Sequence, residues 1–216
     1  MVKKSLAVMV LLAAVVGLGF AQEQGFVIGA RVIGAIPSYT RNSDFYIYDG
    51  WDYYYPDFEG KFGFGFAAQA SYNFSDLLGA QAEVIYNSDD ITVKTWGETV
   101  GTLKATSLLI PILLRVGATL GPGIQLTGIG GIYFTIPLGD AEFKSDYIGN
   151  FKDSWSGSLG AMLGGIVGYK LGPGTIFADL RYAFDFSDIE VDSIKTLKKS
   201  AVHIGVGYSF LIGGGF

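Results

Sequence analysis

The sequence predicts an all-β fold, an eight-stranded antiparallel up-and-down β-barrel that crosses a membrane. Three observations predict it. Apolar residues recur with a period of two through eight segments of roughly ten residues, the length a tilted strand needs to cross a bilayer. The face opposite the bulky one is rich in glycine and small polar residues, which suits the crowded interior of a small barrel while lipid takes the large side chains. The connections alternate between short turns and long loops, as in transmembrane barrels. Alternation alone would also fit a soluble sandwich with one wet face. The strand length, the small-residue face and the loop asymmetry decide against it.

The chain has 216 residues, half of them apolar, yet no helix-length apolar run occurs after residue 21. The first 21 residues have the parts of a secretory signal. Lys3 and Lys4 form the charged start, Leu6 to Phe20 an apolar run, and Gly19-Phe20-Ala21 a small-residue cleavage site. The apolar run is short for a membrane anchor, which needs about 20 residues. Residues 1–21 are therefore expected to be a signal peptide and 22–216 the barrel domain. Losing the two lysines with the leader takes the formal charge from -5 to -7. An acidic chain argues against nucleic acid as a partner. The absence of cysteine excludes a disulfide framework and a thiolate site.

The first strand sets Phe26, Ile28, Ala30, Val32 and Ile36 against Val27, Gly29, Arg31 and Ala35. The second sets Phe62, Phe64, Phe66, Ala68, Ala70, Tyr72 and Phe74 against Gly63, Gly65, Gln69, Ser71 and Asn73. In the third, Leu78, Ala80, Ala82, Val84 and Tyr86 face away from Gln81, Glu83 and Asn87. In the fourth, Leu108, Ile110, Ile112, Leu114 and Val116 oppose Ser107, Pro111 and Arg115. The fifth has Ile124, Leu126, Ile132, Phe134 and Ile136 against Gln125, Thr127, Tyr133 and Thr135. The sixth has Leu159, Ala161, Leu163, Val167 and Tyr169 against Ser158, Gly160, Gly164 and Lys170. The seventh has Ile176, Leu180, Tyr182, Phe184 and Phe186 against Thr175, Asp179, Arg181 and Asp185. The eighth has Val202, Ile204, Val206, Tyr208, Phe210 and Ile212 against His203, Gly205, Gly207 and Ser209.

Ser75-Asp76, Leu120-Gly121-Pro122-Gly123 and Leu171-Gly172-Pro173-Gly174 are expected to be tight turns. The two Leu-Gly-Pro-Gly segments suggest a repeated hairpin. Residues 37–61, 88–102, 137–157 and 187–199 are expected to be the long loops. Both chain ends then lie with the short turns on the periplasmic side of a bacterial outer membrane, and the long loops lie outside. Pro111 is the misfit, since proline cannot donate to a ladder. It predicts a bulge or one missing bond in strand four.

Several segments carry a resemblance: the leader, Leu108-Leu109-Ile110-Pro111-Ile112-Leu113-Leu114, the glycine-rich Gly128-Ile129-Gly130-Gly131, and a last strand rich in aromatics. Through them the chain resembles the small outer-membrane barrel families, such as the OmpA-type membrane domain, OmpX and OmpW. It is more closely similar to the PorT-like porin-family barrels. The resemblance covers the whole mature chain and implies outer-membrane lipid and the barrel-assembly machinery as partners. In such families a final strand with alternating aromatics and a terminal phenylalanine is read by that machinery. Tyr208, Phe210 and Phe216 fit, with Gly213-Gly214-Gly215 leaving both Phe210 and Phe216 as candidates for the recognised end.

The inward positions contain a small charged set. Arg31, Glu83, Arg115, Asp179, Arg181, Asp185 and His203 are the expected lumen network, with Lys170 near one end. Charges in a filled interior must pair. A salt-bridge plug follows, with a narrow, gated path for small solutes as the alternative. His203, the single histidine, is expected nearly opposite Asp185. Such a pair invites a remote reading as a lipid-modifying enzyme, but the spacing places no serine nucleophile, so no catalytic residue is expected. One histidine and no cysteine make a metal site unexpected, and no cofactor is implied.

The first long loop interleaves Tyr48, Trp51, Tyr53, Tyr54 and Tyr55 with acidic residues. Rigid aromatic area of this kind suits an exposed contact surface for an extracellular ligand. Some of these rings could instead extend the strands or belong to the interfacial aromatic girdle. Asp49, Asp52 and Asp57 lack the spacing of a calcium loop. The function classes, in order, are a structural or surface-interaction barrel, a small-solute channel of low conductance, and an enzyme.

Overall fold

The alternating segments pair into a closed ring. The computed structural model describes residues 24–41, 47–48, 53–54, 57–120, 122–145, 149–191 and 194–212. Eight long strands form the wall: β1 (Gly25–Arg41), β2 (Gly63–Asn73), β3 (Leu78–Thr95), β4 (Glu98–Leu120), β5 (Ile124–Pro137), β6 (Ser158–Leu171), β7 (Gly174–Asp185) and β8 (Ile194–Ile212). Each pairs antiparallel with its chain neighbour, and β8 pairs with β1, so no edge of the wall is left open. Among the described residues no helix is long and apolar enough to cross a membrane.

The register gives the shape. One step round the ring runs Val27, Ser71, Gln81, Leu113, Gly131, Met162, Ala183, Ala201 and back to Pro37, ten residues further along β1. A shear of that size over eight strands corresponds to a tilt of roughly 40° and a radius of roughly 8 Å. Such an interior holds side chains and little else.

The outer face is a continuous apolar band. Phe64 is 68% exposed, Leu114 66% and Leu180 58%, and every strand contributes such residues. A water-soluble domain does not leave a belt of that extent uncovered. Aromatics gather at its two rims. Phe26, Tyr72, Tyr169, Tyr208 and Phe210 ring the short-turn end, and Phe62, Phe64, Tyr182, Phe184 and Phe186 lie toward the other. Neighbouring rings touch edge-on, as in Phe62–Phe64 at 5.0 Å and Tyr208–Phe210 at 4.8 Å. These girdle positions come from the wall strands and the residues adjoining their ends. Of the first-loop aromatics, Trp51 and Tyr55 lie outside the described residues, while the backbones of Tyr48 and Tyr53 pair in a short ladder.

The short turns behave as their residues dictate. Ser75 Oγ accepts the Leu78 amide at 2.9 Å, closing the β2–β3 bend. The two Leu-Gly-Pro-Gly segments form different turns. Leu171 pairs with Gly174, leaving Gly172 (φ 63°) and Pro173 as a two-residue turn of type II′. Leu120 pairs instead with Ile124, leaving a three-residue loop in which Gly123 takes φ 89°. At Pro111 the β5 side of the ladder continues through Pro111↔Tyr133. On the β3 side no pairs join Ala82↔Ile112 to Ile85↔Leu109, and the register is the same on both sides of the gap. Strand four therefore has an interruption rather than a bulge at this point.

The segments expected as long loops are largely strand. β3 and β4 run past the wall to a two-residue turn at Trp96 and Gly97, so 88–102 is a hairpin extension. Its β-branched residues (Ile91, Thr92, Val93, Thr95, Thr99, Val100 and Thr102) were a strand signal hidden by their distance from the core. Trp96 holds φ 53° at the tip, a conformation that favours Asn or Gly. Asp57–Gly60 pairs with β3, and Ala141–Lys144 with β4. This outer sheet has its own apolar cluster of Phe58, Ile91, Val93, Leu103, Ala141 and Phe143, with Tyr39, Val100 and Trp155 packed against it. On its charged surface, Lys152 bonds Glu142 at 2.5 Å and holds that carboxyl below its ordinary range.

Candidate functional site: the charged lumen

Only every second residue of a strand can reach the lumen. Four of the expected charged residues meet there in a closed ring. Arg31 on β1 donates to Glu83 on β3 at 2.9 Å and to Asp179 on β7 at 2.5 Å. Arg181, two residues along β7, donates to the same Glu83 and to the same Asp179, both at 2.8 Å. All four side chains have no solvent exposure. Two guanidiniums and two carboxylates balance, which is the condition for keeping charge in a closed interior.

A branch leaves the ring toward the short turns. Gln81 donates a short hydrogen bond to Glu83, and its Oε1 accepts from Arg115 at 2.8 Å. Arg115 also donates to Ser71 Oγ at 2.7 Å. Apolar side chains fill both sides of the ring. Ile33, Ile85, Leu109 and Met162 lie toward the extension, and Ile129, Ile166 and Phe177 toward the turns. Gln69, Gln81 and Asn87 carried an inward signal as clear as that of the charges, and Gln81 supplies the polar links, to Glu83, Arg115 and, at 3.4 Å, Gln69.

Inward glycines make the ring possible. A Cβ on Gly205 would sit 2.6 Å from Asp179 Oδ2 and 3.0 Å from Arg31 Nη1. Arg31 Nη1 and the other oxygen of the same carboxylate, Asp179 Oδ1, are bonded to each other in the ring, which limits how far either group can swing aside. Gly205→Ala should destabilise the barrel by about 1–3 kcal/mol, the usual cost of overpacking. A urea titration of the folded fraction in lipid vesicles measures it. Stability equal to the parent would mean that the ring yields freely.

Two expected members stand apart. Asp185 does not face His203. The β7–β8 register puts Arg181 opposite His203, and Asp185 lies four residues further along β7. That is roughly 13 Å along the strand. Asp185 instead accepts a short hydrogen bond from the Tyr133 hydroxyl. His203 is 1% exposed, and neither ring nitrogen has a hydrogen-bond partner among the described residues. Loop length misplaces the hairpin centre here, because the ladder is set by how each strand extends past the wall. Beyond His203, Lys199 makes a short ion pair with Asp89, a pair absent from the expected set. Asp89 lies in a segment expected as loop, where alternation gives no guide to the lumen.

A closed ring of eight strands, belted outside by apolar residues and locked inside by charge, defines an outer-membrane β-barrel. The chain belongs to the outer membrane protein β-barrel domain family, whose model matches residues 8–210. The protein is accordingly placed in the outer membrane. Among solved structures it is similar to the outer membrane protein OprG from Pseudomonas aeruginosa. The identity is 15% over 89% of this chain and 99% of that one, with a TM-score of 0.61. It is also similar to Neisserial surface protein A, with 13% identity, 87% and 97% covered and a TM-score of 0.47. A third is a major outer membrane protein from Thermus thermophilus, with 17% identity, 85% and 99% covered and a TM-score of 0.47. At such identities the likeness to OprG is one of fold. No curated protein sequence matches the chain significantly.

Proposed function

We propose that the protein is a plugged outer-membrane scaffold, closed through its lumen and active at its outer surface. The observation that carries this reading is the ring of Arg31, Glu83, Arg181 and Asp179, balanced in charge and without solvent exposure. Ions crossing the lumen would have to break four ion pairs and then pass Ile33, Ile85, Leu109 and Met162, which are 0–3% exposed. In this reading the short turns and both chain ends face the periplasm, and the extended sheet stands outside. Tyr208 and Phe210, with Phe216 beyond the described residues, serve the barrel-assembly machinery. Tyr48, Trp51, Tyr53, Tyr54 and Tyr55 offer contact area to an extracellular ligand, and deletion of residues 44–58 should abolish surface binding. The enzyme reading loses its motive, since Asp185 and His203 are not paired.

Single-channel recording tests the plug. The protein extracted from membranes and placed in a planar bilayer should be silent, while Arg31→Ala should open salt-dependent conductance. Steady openings of the parent that scale with salt would favour the small-solute channel and place its constriction at the ring.

A further inference from the structure

We infer that the short-turn mouth of the lumen is a binding site for a small oxyanion, a carboxylate or phosphate group, held by Arg115 with Lys170. On this side of the ring the lumen opens into a cavity of about 60 Å³ lined by Asn73, Arg115, Gln125, Lys170, Thr175 and Ser209. A smaller one of about 20 Å³ shares Arg115, Gln125, Thr175 and Ser209 and reaches inward to Gln69. No aspartate or glutamate lines either cavity. The space suits a few waters or one small ion and is far below that of a drug-sized ligand.

Charge balance is the second observation. From the mouth through the ring there are three guanidiniums, Arg31, Arg115 and Arg181, against two carboxylates, Glu83 and Asp179. Both carboxylates are already shared between Arg31 and Arg181. The hydrogen bonds of Arg115 to Ser71 and Gln81 go to neutral acceptors and both use Nη1. They aim the guanidinium without neutralising it, and its Nε is buried with no hydrogen-bond partner among the described residues. A largely buried, unbalanced cation is costly, and an anion entering from solvent offsets that cost. The planar fork of arginine suits the paired oxygens of a carboxylate or phosphate. The hydroxyls of Thr175 and Ser209 and the amide of Gln125 supply further donors. The site lies wholly on one side of the ring, so it holds whether or not the ring conducts.

The test is a nuclear magnetic resonance titration of the whole protein in nanodiscs. Sodium phosphate and sodium acetate are the probes, against sodium chloride at constant ionic strength. The Arg115 Nε–H signal and the amides of Thr175 and Ser209 are followed. Saturable shifts are expected in the millimolar range, weakened severalfold by Lys170→Gln and lost in Arg115→Gln. Tighter binding of phosphate than acetate identifies a phosphate group as the ligand, and the reverse identifies a carboxylate. Shifts that do not saturate, or that persist in Arg115→Gln, overturn the site. Should Arg115→Gln fail to fold, Lys170→Gln and Thr175→Val carry the test, and unchanged affinity in both overturns it.

Discussion

Glu83→Ala is expected to cost the folded barrel about 3–5 kcal/mol, the usual penalty for removing one partner from a buried ion pair. Glu83 bonds Arg31 with one oxygen and Arg181 with the other, so its loss leaves two enclosed guanidiniums sharing Asp179. Gln81 loses its short bond to the ring as well, keeping a 3.4 Å bond to Gln69, and the branch to Arg115 is cut from the ring. Urea unfolding in lipid vesicles, followed by tryptophan fluorescence, measures the loss. A cost below about 1 kcal/mol would mean that water reaches the site, since exposed pairs are worth no more. A companion variant separates pairing from packing. Replacing Arg31 and Arg181 by Met together with Glu83 and Asp179 by Leu should recover most of the stability, because no charge then remains to be desolvated. Recovery would assign the ring to closing the lumen rather than to holding the wall together.

Leu180→Arg is the second large effect, expected at about 2–4 kcal/mol for a cation near the bilayer midplane. Leu180 lies between Asp179 and Arg181 in β7 and points the opposite way, 58% exposed. Arginine is therefore stabilising at 181 and destabilising one residue earlier, since each residue step reverses the face. The same substitution at Trp96, 78% exposed at the tip of the outer hairpin, should change little. The difference between the two positions, read from the same unfolding curves, maps the lipid boundary. Equal costs at both would contradict a membrane belt at Leu180.

The two effects separate what was legible from what was not. Wall strands, inward faces and the lumen charges can be read from local alternation, because side-chain direction in a strand depends only on neighbouring residues. Strand ends cannot. Residues 88–102 continue as strand because Asp57–Gly60 and Ala141–Lys144 pair against them and cover an apolar cluster. Those partners are distant in sequence.

By itself the sequence determined that this chain closes a barrel, which residues of the alternating segments meet lipid, and which of their charges turn inward, though not Asp89 and Lys199 in the segments expected as loops. The tertiary structure decided who meets whom. Arg31 and Asp179, 148 residues apart, touch because one turn round the wall advances ten residues along β1. Asp185 misses His203 because the register of that one hairpin, set by how its strands extend past the wall, puts Arg181 there instead. Pairing in a barrel is a sum of eight registers, and closure constrains that sum only once every strand is in place.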